Sequence, residues 1–237
     1  MQIASEADRG LWFAAYVQTY LERDLRQLSA VSSLPDFKRI MMLAAQRTSK
    51  ILNQADLARD AALSHPTAHR YLNLLETGCL ITRIRPLSTY PSTALVKAPK
   101  LLWTDCGLAA WLAGIKSSAD VTARMDTGFW LEQTLFQILE TWRSLDPQQR
   151  RLHYWRDRAG HEVDFILEEA GRFVALEIKA SSQVTAGDAN GIRAFRDGLK
   201  QKGALVRGVV LHAGKARPLE EGILALPWGW LVPQKDL

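Results

Sequence analysis

A stripe of large apolar side chains at three-to-four spacing predicts the first helix, over residues 10–29. The stripe consists of Trp12, Phe13, Tyr16, Tyr20 and Leu21. After Pro35, a second stripe of the same spacing predicts a helix over residues 36–48. We interpret the second helix as an ordinary core helix and treat residues 1–35 as an N-terminal helical segment.

Residues 53–78 carry capping signals for two short helices joined by a tight turn. Asn53 can cap the N-terminus of a helix that runs to Leu63. Ser64 can cap the N-terminus of a second helix, which ends at Gly78. The second helix has an apolar face and a face of hydrogen-bonding side chains suited to base edges and phosphates. The apolar face consists of Ala68, Tyr71, Leu72 and Leu75, and the polar face of His65, Thr67, His69, Arg70 and Asn73.

Alternation over residues 80–85 predicts a strand, and residues 94–103 predict a second strand after a loop at 86–93. Two helices, a tight turn and two strands are the elements of a winged helix-turn-helix domain, which we place at 36–115. We expect this domain to contact DNA through the polar helix face and through the basic side chains of the strands. Those basic side chains are Arg83, Arg85, Lys97 and Lys100. The alternative is a winged helix that serves only as a protein-interaction or structural module.

The second half of the chain begins after a polar stretch at 116–127, which we interpret as a linker. Beyond it the pattern predicts a helix, three strands, a helix and a strand. The predicted bounds are 128–143, 151–156, 162–169, 172–180, 188–200 and 204–213. This α-β-β-β-α-β order predicts an α/β domain over 128–237 and, together with the helical first half, an α+β fold for the chain.

Candidate chemistry lies in the predicted hairpin of the second half. Period-two alternation places Glu177 and Lys179 on one face of a strand, about 6.5 Å apart. If residues 170–171 form a two-residue turn, Asp164 falls opposite Glu177 on the same face. Neighbouring carboxylates repel each other, and a hard divalent cation relieves that repulsion. The sequence therefore predicts a site for a hard divalent cation at Asp164 and Glu177.

The first helix of this half adds a third acid to the prediction. Glu132 lies on the apolar stripe of that helix, beside Phe136, and a carboxylate in such a position needs a partner. We therefore include Glu132 among the metal ligands. The alternative is that Glu132 lies at the edge of the stripe and that Glu177 and Lys179 form an ordinary solvated pair.

The distribution of charge adds to the DNA prediction. The chain carries 30 Lys and Arg against 25 Asp and Glu, a net charge of +5. Residues 1–35 carry −1, residues 36–115 carry +5 and residues 116–237 carry +1. The excess coincides with the predicted winged helix, which favours a nucleic-acid partner.

Several classes of protein do not fit the sequence. It has no run of about 18 apolar residues and no signal-peptide core, so we expect a cytoplasmic protein without membrane contact. Cys79 and Cys106 are too few for a disulfide scaffold or a four-cysteine zinc site. The Gly-Lys pair at 214–215 lacks the other residues of a phosphate-binding loop, so we expect no ATP hydrolysis by this chain. Zinc-protease and serine-hydrolase motifs are absent as well.

Residues 130–213 resemble the PD-(D/E)XK nuclease superfamily in their element order, in the Asp of the second strand and in the Glu-x-Lys of the third. The matching residues are Glu132, Asp164, Glu177 and Lys179. The resemblance implies a Mg²⁺ or Mn²⁺ ion bound by Asp164 and Glu177 with Glu132 assisting. It also implies that Lys179 orients or activates a water molecule that hydrolyses a phosphodiester bond.

Over residues 16–215 the chain also resembles the C-terminal region of predicted prokaryotic AAA+ ATPases, a domain of unknown function. Stretches that carry this resemblance lie at 20–25, 52–58, 70–76, 95–100 and 104–108 and in the nuclease-like block that follows. A P-loop ATPase precedes this region in that family, which implies an AAA+ ATPase domain or subunit as a partner. Our prediction is a DNA-binding protein with a magnesium-dependent nuclease domain. The alternatives are a non-catalytic DNA-binding or regulatory module and a protein-interaction module, each serving an AAA+ ATPase.

Overall fold

The chain forms two compact units. The computed structural model describes residues 6–20, 31–87, 98–124, 126–148, 150–200 and 203–231. The first unit consists of Met1–Thr82 and Leu101–Thr127, and the second of Arg83–Lys100 and Gly128–Leu237. This division differs from the predicted domains because the described residues 83–87 and 98–100, placed in the winged helix by the sequence pattern, belong to the second unit.

The first unit is mainly helical. Its helices are α1 (Glu6–Thr19), α2 (Leu34–Ala45), α3 (Gln54–Asp60), α4 (His65–Thr77), α5 (Cys106–Leu112) and α6 (Ser118–Ala123). Helix α1 starts earlier than predicted, and the predicted extension at 21–29 lies outside the described residues. Helices α5 and α6 were not predicted. Helix α6 occupies half of the predicted linker, where Ser117 and Asp120 form a capping box that starts it.

The caps and the buried face predicted for α3 and α4 are confirmed. The Asn53 side chain accepts hydrogen bonds from the first N–H groups of α3, and Ser64 accepts one from Thr67 in α4. Gly78 follows α4 as its C-cap. The predicted apolar face of α4 is fully buried, with Tyr71 packed edge-to-face on Phe37. Local capping and one apolar stripe are therefore enough to define this helix-turn-helix.

Two short strands follow the helix-turn-helix. Strand β1 spans Ile81–Ile84 and pairs with β2, Lys100–Trp103, in a two-stranded sheet. This order of elements is that of a winged helix-turn-helix. The predicted second strand began at residue 94, and its first half, with Lys97, lies outside the described residues.

The second unit has the predicted α-β-β-β-α-β order. Its elements are α7 (Thr127–Ser144), β3 (Arg151–Arg156), β4 (Glu162–Glu169), β5 (Arg172–Ile178), α8 (Asn190–Lys200) and β6 (Leu205–His212). Two further strands that were not predicted, β7 (Arg217–Glu220) and β8 (Ile223–Pro227), extend the sheet. Among the helices within the described ranges, none combines the length and hydropathy of a membrane-crossing segment.

The strands of the second unit form one mixed sheet in the order β3-β4-β5-β6-β8-β7. Strands β3, β4 and β5 are antiparallel neighbours, and β6 runs parallel to β5, so α8 forms the crossover between them. On α8, Phe195 packs edge-to-face against Trp155 and Phe173 of the sheet. A Cβ at Gly191 would lie 1.9 Å from the Glu162 carbonyl oxygen. Only glycine therefore lets the start of α8 approach β4 this closely.

Candidate functional site

The hairpin of β4 and β5 has the predicted register. Glu169 pairs with Arg172 across the two-residue turn at 170–171, in which both residues have positive φ. A two-residue turn of this kind matches the twist of the strands and fixes their pairing. Extending the pairing toward the other end of the hairpin places Asp164 opposite Glu177. Their side chains therefore lie on the same face of the sheet.

The chain holds both carboxylates in place. The Ile178 N–H donates to Oδ2 of Asp164 at 2.8 Å. The Lys179 ammonium donates to Oε1 of Glu177 at 2.8 Å. The other oxygen of Glu177, Oε2, is buried and has no hydrogen-bond partner among the described residues. That oxygen is a candidate ligand for a cation.

Both carboxylic acids titrate above their ordinary range. Burial raises the pKa of Glu177 to about 8, and repulsion from Asp164 adds to the rise while Lys179 opposes it. Burial also raises the pKa of Asp164, against attraction from Lys100. Two buried carboxylates thus disfavour each other's charge, a situation that a bound cation relieves.

Lys100 lies in this site and not on a DNA-contacting wing. Its Nζ is 2.8 Å from Oε1 of Glu132, 3.1 Å from Oε1 of Glu162 and 3.7 Å from Oδ1 of Asp164. Its side chain is 2% exposed. The prediction that Lys100 contacts DNA is therefore wrong, because its charged end is buried among carboxylates.

Hydrogen bonds of two residues that precede β2, Leu87 and Ala98, explain why Lys100 lies in this site. The Leu87 N–H donates to the Tyr154 carbonyl of β3 at 2.7 Å, and the Tyr154 hydroxyl donates to the Ala98 carbonyl. These contacts attach Leu87 and Ala98 to β3. Lys100 follows Ala98 by two residues, and its Nζ lies 5.5 Å from the centroid of the Tyr154 ring. Burial acts to lower the pKa of Lys100, but the three carboxylates outweigh it and the pKa is raised. Lys100 therefore remains a cation.

Glu132, on α7, lies in the site, but its carboxylate is paired with the Lys100 ammonium. Burial raises the pKa of Glu132 well above its ordinary value, with Lys100 the main opposing influence. Within the residues that the structure describes, no group of three or more His, Cys, Asp or Glu side chains is arranged to share a metal ion. In this structure the partner of Glu132 is therefore Lys100, so Asp164 and Glu177 are the stronger candidate pair, and the assisting role of Glu132 stays a prediction.

Glu162 is a member of the site that the sequence analysis missed. It precedes Asp164 by two residues on β4, so the alternation that paired Glu177 with Lys179 also puts Glu162 on the face of Asp164. Arg156 approaches its other oxygen at 3.7 Å. The contact between Glu162 and Lys100 had no comparable signal, because it depends on the packing of a distant segment.

The polar face of α4 is turned away from the core of the first unit. His65, His69 and Arg70 are exposed, and Thr67 and Asn73 are half-buried. His69 contacts Gln54 at 3.0 Å, which links the two helices of the helix-turn-helix. Of the predicted strand residues, Arg83 is half-buried and Arg85 is exposed, and both belong to the second unit.

Comparison with known proteins matches the two halves of the chain to two families. Residues 2–119 match "Domain of unknown function (DUF8612)" and residues 127–231 match "Domain of unknown function (DUF4143)". Both matched families are domains of unknown function, as is the family that the sequence analysis found this chain to resemble. Neither description names a nuclease or an ATPase.

Two curated relatives come from mycobacteria. They are Uncharacterized protein Rv2008c of Mycobacterium tuberculosis and Uncharacterized protein Mb2031c of Mycobacterium bovis, each 27% identical over 224 residues. The match covers 94% of this chain and 48% of each relative. The chain therefore spans about half the length of the curated relatives it matches.

One solved structure, the crystal structure of transcriptional regulator PA3341, also matches. It is 20% identical, with a TM-score of 0.25, over 56% of this chain and 95% of that chain. A TM-score this low supports no argument about fold or function.

Proposed function

We propose that the chain is a DNA-binding protein whose second unit is a divalent-metal-dependent nuclease. The observation that carries the proposal is the meeting of Asp164 and Glu177 on one face of paired strands, with the Lys179 ammonium 2.8 Å from Glu177. The unpartnered Oε2 of Glu177 supports it, because an unsatisfied buried oxygen is costly without a cation or donor. Mg²⁺ is commonly held by one or two carboxylates together with water and phosphate oxygens, so two ligands fit it.

Asp164 and Glu177 would hold the ion, and Glu132 would remain bound to Lys100. A bound divalent ion neutralises phosphate charge and makes water a better nucleophile. The Ile178 N–H fixes the orientation of Asp164. Lys179 is 34% exposed while its Nζ contacts Glu177, so it can reach both the carboxylate and a water or phosphate oxygen arriving from solvent. Hydrolysis adds water to phosphorus and breaks one P–O bond to the sugar.

The test uses the purified full chain with supercoiled plasmid and with single-stranded DNA. We expect cleavage with Mg²⁺ or Mn²⁺ and none in EDTA, together with metal binding measured by isothermal titration calorimetry. A chain that binds neither metal and cuts neither DNA nor RNA contradicts the proposal.

The DNA-binding part of the proposal predicts steep salt dependence. With about four to six phosphate contacts, the log–log slope of affinity against salt is expected to be about −4 to −5. Arg70→Ala removes an exposed charge from the polar face of α4, so we expect weaker duplex binding and a slope smaller in size by about 1. Fluorescence anisotropy across a salt series measures both quantities.

The matched control is Lys200→Ala, because Lys200 is an exposed cation on α8 of the second unit. We expect its affinity to stay within about twofold of the parent chain, as surface changes away from a contact usually have small effects. Equal losses in the two variants would show that α4 has no special part in binding. Affinity that does not change with salt would contradict an electrostatic interface.

A second candidate is a non-catalytic DNA-binding or regulatory module that partners an AAA+ ATPase. The observation that favours it is Lys100, whose buried ammonium already pairs with Glu132 and Glu162 and lies 3.7 Å from Asp164. This candidate predicts salt-dependent DNA binding but no cleavage with Mg²⁺ or Mn²⁺. The cleavage and anisotropy measurements therefore separate the two candidates.

A further inference from the structure

Lys100 is a buried cation at a point where carboxylates from two different elements converge. Helix α7 supplies Glu132, and β4 supplies Glu162 and Asp164, all within 3.7 Å of Nζ. A side chain only 2% exposed can touch neither bulk water nor a nucleic acid. Any effect of Lys100 on the chemistry must therefore pass through the carboxylates that it binds.

The charges of the cluster limit how many ions it can accept. Four carboxylates, on Glu132, Glu162, Asp164 and Glu177, meet the ammonium groups of Lys100 and Lys179. The guanidinium of Arg156 contacts Glu162 from the other side. With all four carboxylates ionised, as metal binding requires of the ligands, the seven side chains together leave one negative charge, which a single divalent ion more than offsets. A second divalent ion would add a large uncompensated positive charge to a buried site.

We infer that Lys100 is a positioning residue that serves as the fixed second cation of this site and limits it to one divalent ion. The inference rests on the proposed function and adds the number of metal ions to it. Lys100 binds Glu132 at 2.8 Å and so keeps that carboxylate from the metal. It also lies 3.7 Å from Oδ1 of Asp164, whose Oδ2 accepts from the backbone. Because each carboxylate oxygen has more than one lone pair, Asp164 remains able to bind a metal ion.

The experiment counts Mn²⁺ ions per chain in the full-length protein by equilibrium dialysis and electron paramagnetic resonance. We expect about one ion in the parent chain and about two in Lys100→Met, since three carboxylates then converge without the ammonium at their centre. Lys100→Met with Glu132→Gln removes both charges of the closest pair, and we expect about one ion again. Lys200→Met, a change of the same type at an exposed position, is expected to bind like the parent chain.

Each result bears on the inference or on the proposed function. A folded Lys100→Met chain that binds no more Mn²⁺ than the parent overturns the role of Lys100, and so does a parent chain that binds two ions. If the parent binds none and Lys100→Met binds one, the role of Lys100 is supported and the proposed metal site fails. If Lys100→Met does not fold in EDTA, we expect Mn²⁺ to restore its thermal transition in circular dichroism. Failure of Mn²⁺ to restore it overturns the inference.

Discussion

Lys179→Ala is expected to lower the rate of metal-dependent DNA cleavage by at least about a hundredfold while leaving duplex affinity within about twofold of the parent chain. The Lys179 ammonium lies 2.8 Å from Glu177 and is partly exposed, so it can orient a water against phosphorus. The predicted DNA-binding face on α4 belongs to the other unit, and the substitution does not alter it. Single-turnover cleavage and fluorescence anisotropy measure the two effects on one preparation.

Two further variants separate loss of the lysine from loss of the metal. Glu177→Gln and Asp164→Asn remove ligand charge, so we expect both to lose Mn²⁺ binding and cleavage together. Lys179→Ala is expected to keep its Mn²⁺ while losing cleavage. A Lys179→Ala preparation that cleaves as fast as the parent would mean that the activity comes from another site or from a contaminant.

The hairpin that carries Asp164 and Glu177 could be predicted from sequence because its determinants are local. Alternation sets which side chains share a face, and the two-residue turn at 170–171 sets the register. The caps at Asn53 and Ser64 were predictable for the same reason, since each cap and the N–H groups that it accepts lie within three residues. Neither feature depends on how distant segments pack.

Lys100 could not be placed from sequence because its environment is non-local. Its position within the predicted strand at 94–103, together with Lys97, indicated a surface cation, as most lysines are. Its actual partners are Glu132 and Glu162, which lie 32 and 62 residues further along the chain. Glu132 and Glu162 become neighbours of Lys100 because Leu87 and Ala98, which precede β2, are hydrogen-bonded to Tyr154. Pairing across such distances leaves no period or motif in the sequence around Lys100.

The burial of Lys100 also changes how the net charge of residues 36–115 bears on DNA binding. Residues 36–115 carry +5 by count, but Lys100 is buried in ion pairs and contributes nothing to a surface that a polyanion could meet. The ion pairs of Arg39 with Asp36 and of Arg47 with Asp60 lie wholly within this range and are already cancelled in that count, whereas the acidic partners of Lys100 lie outside it. Counting charge along a sequence therefore overestimates the field available to DNA, and the exposed Arg70 carries more of the argument than the total does.

Lys100→Met is expected to destabilise the second unit by about 3 to 5 kcal/mol in EDTA, the usual cost of leaving a buried charge without its partner. Removal of the ammonium leaves Glu132, 6% exposed, beside Glu162 and Asp164, with Arg156 at 3.7 Å from Glu162 but no cation within reach of Glu132 among the ion pairs of the described residues. Methionine keeps a similar length and apolar stem, so the loss is mainly electrostatic. Urea unfolding followed by far-ultraviolet circular dichroism, with the parent chain and Lys200→Met as references, measures the change.

Adding Glu132→Gln to Lys100→Met is expected to recover most of that stability, because Glu132 is the least exposed of the three carboxylates and then carries no unpaired charge. The double-mutant cycle of the two positions should therefore show a coupling energy of about 2 kcal/mol or more, well above that of an exposed pair. Additive losses in the cycle would mean that Lys100 and Glu132 do not depend on each other in solution. In that case the 2.8 Å contact between them would not be what fixes Lys100 in the site.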